Sequence, residues 1–260
     1  MKYFWTFETD LPEGSGFELF GAAHIIWLIA GAVFAAAGAV IYLRRTEKAR
    51  ANIQFAVSLL IVFNEVFQDI YLKVNGHFDV YQLPLHLCGL AVFITLAHGI
   101  VLKAGFGSRK KSVKAADSFL GQVRYSLCLP GALLALIFPD WTVYPPFAFM
   151  SIFGFVNHIL ISASALWLIL PDTFTIKPAD ILKPAVFLLV AVPLIYRFDV
   201  AENANYFFLI EGPEGSPLYW LQHRWPDHYL IAYAILAAVV ISVWYAIGII
   251  AKRKRNRGRN

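Results

Sequence analysis

The chain reads as an all-α membrane protein, a bundle of about seven transmembrane helices, and three observations support this. Of its 260 residues 59% are hydrophobic and only 15% are charged, and the mean hydropathy is +0.61. Soluble domains carry about a quarter charged residues. Apolar runs of the length needed to cross a bilayer, about 20 residues, recur seven times. The segments between them alternate in charge.

The spans fall at roughly 20–43, 53–74, 81–103, 119–138, 147–170, 180–198 and 229–251, each bounded by charge, proline or a glycine-containing polar loop. The leading segment 1–19 carries Glu8, Asp10, Glu13 and Glu18 against Lys2. A cleavable signal would open with a basic stretch, so the first span is expected to stay. Loop 44–52 holds Arg44, Arg45, Lys48 and Arg50, and loop 104–118 holds Arg109, Lys110, Lys111 and Lys114. The tail 252–260 begins KRKRNRGR. Segments 75–80, 139–146 and 199–228 are neutral or acidic. Lys and Arg hold loops in the cytoplasm, which predicts an N-out/C-in orientation and an odd number of spans.

The same pattern accounts for the net charge of +5 without nucleic acid as a partner. Trp5, Trp141, Tyr144, Trp220, Trp225 and Tyr229 cluster on the predicted outer side, where such rings prefer the headgroup level. The connection 199–228 is rich in aromatic residues and proline, and is expected to fold as a cap over the outer mouth. Residues 1–260 are expected to form one transmembrane domain. The two cysteines, Cys88 and Cys128, both lie in apolar runs, so a secreted-type disulfide framework is not expected.

Ionisable groups inside spans are costly and are functional candidates by default. Span two carries Asn64, Glu65, Gln68 and Asp69 at i, i+4 spacing, which makes one stripe along the helix. That stripe is either functional or polar glue between helices. Span three opens LPLHLCGL, placing His86 and Cys88 after Pro84. Span four carries Gln122, Arg124 and Cys128, and span five carries Asn157 and His158. On an unbroken helix from residue 81, Cys88 lies about 10 Å deep, and His158 about 16 Å deep in span five. His24 begins span one; it and Asp69 sit near the interface, either in the cavity or simply wet. Cys128 reads as a small buried hydrophobe. A buried thiol needs a base to react. His158 is the candidate base for Cys88, with Asn157 or His86 as oxyanion donors and Glu65 or Asn64 orienting the histidine. A metal site on His86, Cys88 and His158 would require non-helical backbone at 84–88. No metal and no cofactor is expected.

The strings LPLHLCGL, FPDWTVYPPFAFMSIFGFVNHILI, NYFFLIEGPEGSPL and HRWPDHYL resemble, in order, signature blocks of the YwaF-like bacterial membrane proteins. That group is similar to the eukaryotic transmembrane protein 164 family, whose fold is related to the androgen-induced intramembrane hydrolases. The resemblance implies a bacterial cytoplasmic membrane protein. It also implies an embedded cysteine and histidine that carry acyl transfer between phospholipids, on Cys88 and His158. One departure stands out: Arg224-Trp225-Pro226-Asp227 replaces a Gly-Pro-Trp-Pro-like run, which bears on headgroup preference.

The expectation is therefore an intramembrane Cys/His acyltransferase or lipid hydrolase acting on membrane phospholipids. Lys73, Arg197 and Arg224 at outer helix ends are candidates for the headgroup phosphate. The alternative is a proton- or cation-coupled transporter using Glu65, Asp69 and His158, although the chain shows no inverted repeat of the kind many transporters have. A third reading is an assembly partner whose basic tail binds anionic headgroups.

Overall fold

The computed structural model describes residues 3–214 and 216–257, the Asn256 side chain excepted. Residues 1–2 of the acidic leader, Gly215 of the cap connection and residues 258–260 of the basic tail lie outside the described residues. The helices are α1 (Ala22–Leu43), α2 (Glu47–Val74), α3 (Leu87–Ala104), α4 (Lys111–Val123), α5 (Leu129–Ile137), α6 (Phe149–Ile169), α7 (Leu182–Glu202), α8 (Pro217–Arg224) and α9 (Tyr229–Arg257). α4 continues into α5 through a π turn at Arg124–Cys128. Seven segments are long and apolar enough to cross a membrane: α1, α2, α3, Lys111–Ile137, α6, Pro178–Glu202 and Pro226–Arg255. The seven spans read from the sequence are all present.

Five boundaries differ by four residues or more. α7 runs to Glu202 rather than 198 and α9 to Arg257 rather than 251, so the start of the expected cap connection and most of the basic tail are helical. α2 begins at Glu47 rather than 53, because Thr46 caps it: its Oγ1 accepts from the Ala49 N–H at 3.3 Å, a stabilising N-cap. The span-four helix starts at Lys111 rather than 119, so most of the predicted basic loop is helical. α3 starts at Leu87 rather than 81. The stretch before it forms a short 3-10 turn, Val80–Gln82, and then runs irregularly through Pro84.

Two compact units make up the chain, Met1–Phe78 with Leu90–Phe174, and Asp79–Gly89 with Thr175–Asn260. In the first, α6 is the central helix and packs on α1, α2 and α5. Small residues allow the close approach. A Cβ added at Gly38 of α1 would sit 2.0 Å from Cζ2 of Trp167, and one at Gly31 2.9 Å from Ile159. The Trp167 indole N–H then donates to the Ala35 carbonyl at 2.8 Å. Arg50 donates to the Tyr42 and Leu43 carbonyls, so a residue read only as a topology signal also caps the C-terminus of α1.

The acidic leader is ordered over the opposite end of this unit. The Phe149 N–H donates to the Phe4 carbonyl at 2.8 Å and the Phe17 N–H to Thr142 at 2.9 Å. Phe7, Tyr71, Leu72, Tyr144 and Phe149 form an aromatic cover there, with Phe4 and Trp141 against it. Tyr144 and Trp141 are thus packed inside rather than standing as interface anchors; Trp5, at 55% exposure, keeps that role. Burial pushes the Tyr144 hydroxyl well above its usual range, with Glu8 adding to the effect.

In the second unit the connection before α9 is pinned by tyrosine hydroxyls. Tyr229 donates to the Phe208 carbonyl at 2.6 Å, Tyr233 to Phe207 at 3.1 Å, and Tyr206 to Val80 at 2.5 Å. These bonds hold Phe207 and Phe208 at positive φ, a region unfavourable for large side chains. Tyr229 is therefore also buried, while Trp220 and Trp225 remain exposed.

Candidate functional site

α6 carries the sequence-predicted histidine. His158 is its tenth residue and is 8% exposed. Its Nδ1 lies 2.7 Å from the Gly154 carbonyl one turn earlier. A carbonyl only accepts, so the bond assigns the proton to Nδ1 and makes Nε2 the basic nitrogen of the neutral ring. The Trp141 indole stacks on the imidazole at 5.0 Å. Gly154 allows this: a Cβ there would sit 2.7 Å from the indole.

The acidic stripe of α2 faces inward. Asn64, Glu65, Gln68 and Asp69 are all partly buried, while Phe63, Val66, Phe67 and Ile70 beside them are exposed. Asn157 Nδ2 donates to Glu65 Oε2 at 3.0 Å, tying α6 to α2. Glu65 is also close enough to His158 for their charges to interact. Around these groups several buried polar atoms bond to no protein partner: Asn64 Nδ2, Asn157 Oδ1, Trp141 Nε1 and Ser151 Oγ. Buried polar groups are almost always satisfied, which makes these atoms candidates to meet a polar ligand or water.

Cys88 belongs to the second unit and is partly buried. It is the second residue of α3, so the unbroken helix from residue 81 on which the expected depth of about 10 Å rests is not there. The motif LPLHLCGL has a packing reason: Pro84 folds back so closely that a Cβ at Gly89 would meet its Cα at 2.6 Å. His86 precedes the helix and packs on Tyr206 at 4.8 Å and Phe208 at 5.3 Å. The backbone is non-helical only as far as His86, with Cys88 already in α3, and among the described residues no three His, Cys, Asp or Glu side chains gather as ligands.

The phosphate candidates are all exposed. Lys73 lies in the last turn of α2, Arg197 on α7, and Arg224 ends α8 with its guanidinium 5.5 Å from the Trp225 ring. His24 is not wet. It is fully buried, with Nδ1 accepting from the Phe20 N–H at 3.0 Å and Nε2 donating to the Leu136 carbonyl at 2.8 Å. Cys128 is buried.

A second polar cluster escaped sequence reading. Arg124 in the π turn is fully buried and donates to Gln54 Oε1 and Ser164 Oγ, both at 2.9 Å, and to His98 Nδ1 at 3.2 Å. His98 Nε2 in turn reaches Asp117 at 2.9 Å. Arg124 is visible in the sequence, but its partners lie on three other helices and no spacing links them.

No curated protein and no solved structure matches the chain significantly. A family model does match, over residues 19–245, which takes in all or most of every one of the seven spans, and the chain belongs to the TMEM164 family.

Proposed function

We propose that this protein is an intramembrane lipid-modifying enzyme that moves acyl chains between phospholipid and lysophospholipid, with Cys88 as nucleophile and His158 as general base. The observation that carries the reading is the bond from His158 Nδ1 to the Gly154 carbonyl, which leaves Nε2 in the state a general base requires. Membership of the TMEM164 family and the unsatisfied polar atoms beside His158 support it.

In this reading the Cys88 thiol gives its proton to His158 Nε2 as Sγ attacks the ester carbonyl. The tetrahedral intermediate collapses to a thioester, and the departing lysophospholipid alkoxide takes the proton back. A second lysophospholipid hydroxyl then attacks the thioester while His158 accepts its proton, the C–S bond breaks, and the departing Cys88 thiolate takes that proton back; water in place of the hydroxyl makes the enzyme a hydrolase. Asn157, held by Glu65, and the Trp141 N–H are candidates to donate to the oxyanion. Lys73, Arg197 and Arg224 are candidates for the phosphate. The site operates from the leaflet facing the N-terminal cover, with the N-terminus outside a cell membrane.

The test is acyl exchange in reconstituted bilayers together with labelling by a lipid-like electrophile. Cys88→Ser and His158→Ala are each expected to lower exchange by at least about 100-fold. Labelling should vanish in Cys88→Ala, slow in His158→Ala and persist in Cys128→Ala. Wild-type exchange in His158→Ala would remove the base from the mechanism. Proton-coupled solute flux without acyl exchange would favour transport through the Glu65 and Asp69 stripe.

A further inference from the structure

The end of the first unit remote from the N-terminal cover holds a cavity of about 330 Å³. Five helix ends converge on it: the C-termini of α1, α3 and α6 and the N-termini of α2 and α4. Tyr42, Glu47, Arg50, Lys114 and Asp117 supply polar lining, and Phe106 and Phe174 supply apolar lining.

Two of these wall residues lead to the buried Arg124. Asp117 bonds His98, which accepts from Arg124. Tyr42, also in the wall, is one of the residues beside Gln54, which accepts from Arg124. The buried cation therefore stands behind the cavity wall, linked to it by the hydrogen-bonded path through His98 to Asp117.

Arg124 is not neutralised where it lies. Its three partners are Gln54, Ser164 and His98, none a carboxylate, and its Nε is buried without a partner. A fully buried guanidinium without a direct counter-ion is strongly unfavourable, and a low-dielectric wall transmits its field into the space beside it. The rim adds to that field. Residues 44–50, 103–117 and 171–174 carry nine Lys and Arg side chains against the carboxylates of Glu47, Asp117 and Asp172. Positive loops alone follow from topology. A cavity whose own lining balances Arg50 and Lys114 with Glu47 and Asp117, but which has a net positive rim and a buried guanidinium that meets no carboxylate behind it, does not.

We propose that this cavity binds a phosphate-bearing anion, a phospholipid headgroup or free phosphate, with Lys114 and Arg50 at its mouth and Arg124 supplying charge behind its wall. The site is separate from Cys88 and His158 and does not depend on their chemistry. Phe106 and Phe174 offer apolar surface to the glycerol end of a lipid.

The test uses the purified full chain in neutral detergent, titrated with dihexanoyl phosphatidylglycerol below its micelle concentration and, separately, with inorganic phosphate. Binding is read as a saturable rise in melting temperature. The expected result is saturation by at least one probe, weakened at least about fivefold by Lys114→Glu, the weight of one partly screened charge contact. Lys111→Glu, a control outside the lining on the same helix, should leave binding unchanged. The probe that saturates identifies the source. No saturation by either probe overturns the site. Equal weakening by Lys111→Glu and Lys114→Glu also overturns it, because diffuse surface charge would then account for the binding.

Discussion

α6 and α9 are both membrane-spanning helices, yet 67% of the most apolar stretch of α6 is buried against 6% for α9. Hydropathy runs the other way, 1.8 for α6 and 2.5 for α9. In water the more apolar helix would be the inner one. In a bilayer lipid satisfies apolar side chains as well as protein does, so small and polar residues mark the interior. α6 carries Ser151, Gly154, Asn157, His158, Ser162, Ala163, Ser164 and Ala165 on its buried surface, while α9 presents Ile231, Ile235, Val239, Val243 and Ile247 outward.

The contrast is open to direct attack, and the largest effect is expected where α1 meets α6. Gly38→Leu would drive a side chain into the Trp167 ring, at a cost above about 3 kcal/mol. Loss of the monodisperse peak in size-exclusion chromatography would register it; an intact peak with unchanged melting would refute the close contact.

Arg124→Leu comes next. It strands acceptors on Gln54, His98 and Ser164, and about 2–3 kcal/mol should be lost in denaturant titration. A neutral result would show that those groups find other partners.

Asn157→Ala removes the single bond to Glu65, and about 0.6–1 kcal/mol is expected from the same measurement.

In the second unit Tyr206 offers a pH handle. Burial, with Asp199 and Asp79 nearby, pushes its hydroxyl from 10 up to about 12. The fold therefore favours the protonated form. Its contribution is whole below pH 10 and is lost as pH rises through about 12. Melting curves from pH 9 to 12 should fall less steeply in Tyr206→Phe than in wild type; parallel curves would put the alkaline loss elsewhere.

The smallest effect belongs to α9. Val239→Leu, on a residue 54% exposed, should change stability by no more than about 0.5 kcal/mol. A larger loss would mean that this face is packed in the membrane rather than bathed in lipid.

The site was legible in part. Glu65, Asn157 and His158 stand out because ionisable and amide groups are rare in spans, and the i, i+4 stripe on α2 does face inward. The start of α3 was not legible. Leu83 to Cys88 is apolar apart from His86 and lies inside the stretch expected to span from residue 81; the fold-back of Pro84 onto Gly89 goes with a helix that begins at Leu87. The N-terminal segment looked like an acidic leader because its negative charge is conspicuous, whereas Phe4, Phe7 and Phe17 do the packing.

By itself the sequence determined the class, the seven spans and the identity of the polar groups inside them. Bilayer thickness sets a minimum apolar length and charge is costly within it, and both constraints act on consecutive residues. Tertiary structure alone decided which nitrogen of His158 carries the proton, that Arg124 meets Gln54, His98 and Ser164, and that Asp117 joins that cluster to a cavity. Those facts depend on contacts between residues 19 to 70 positions apart or on one backbone carbonyl, and local pattern carries no record of either.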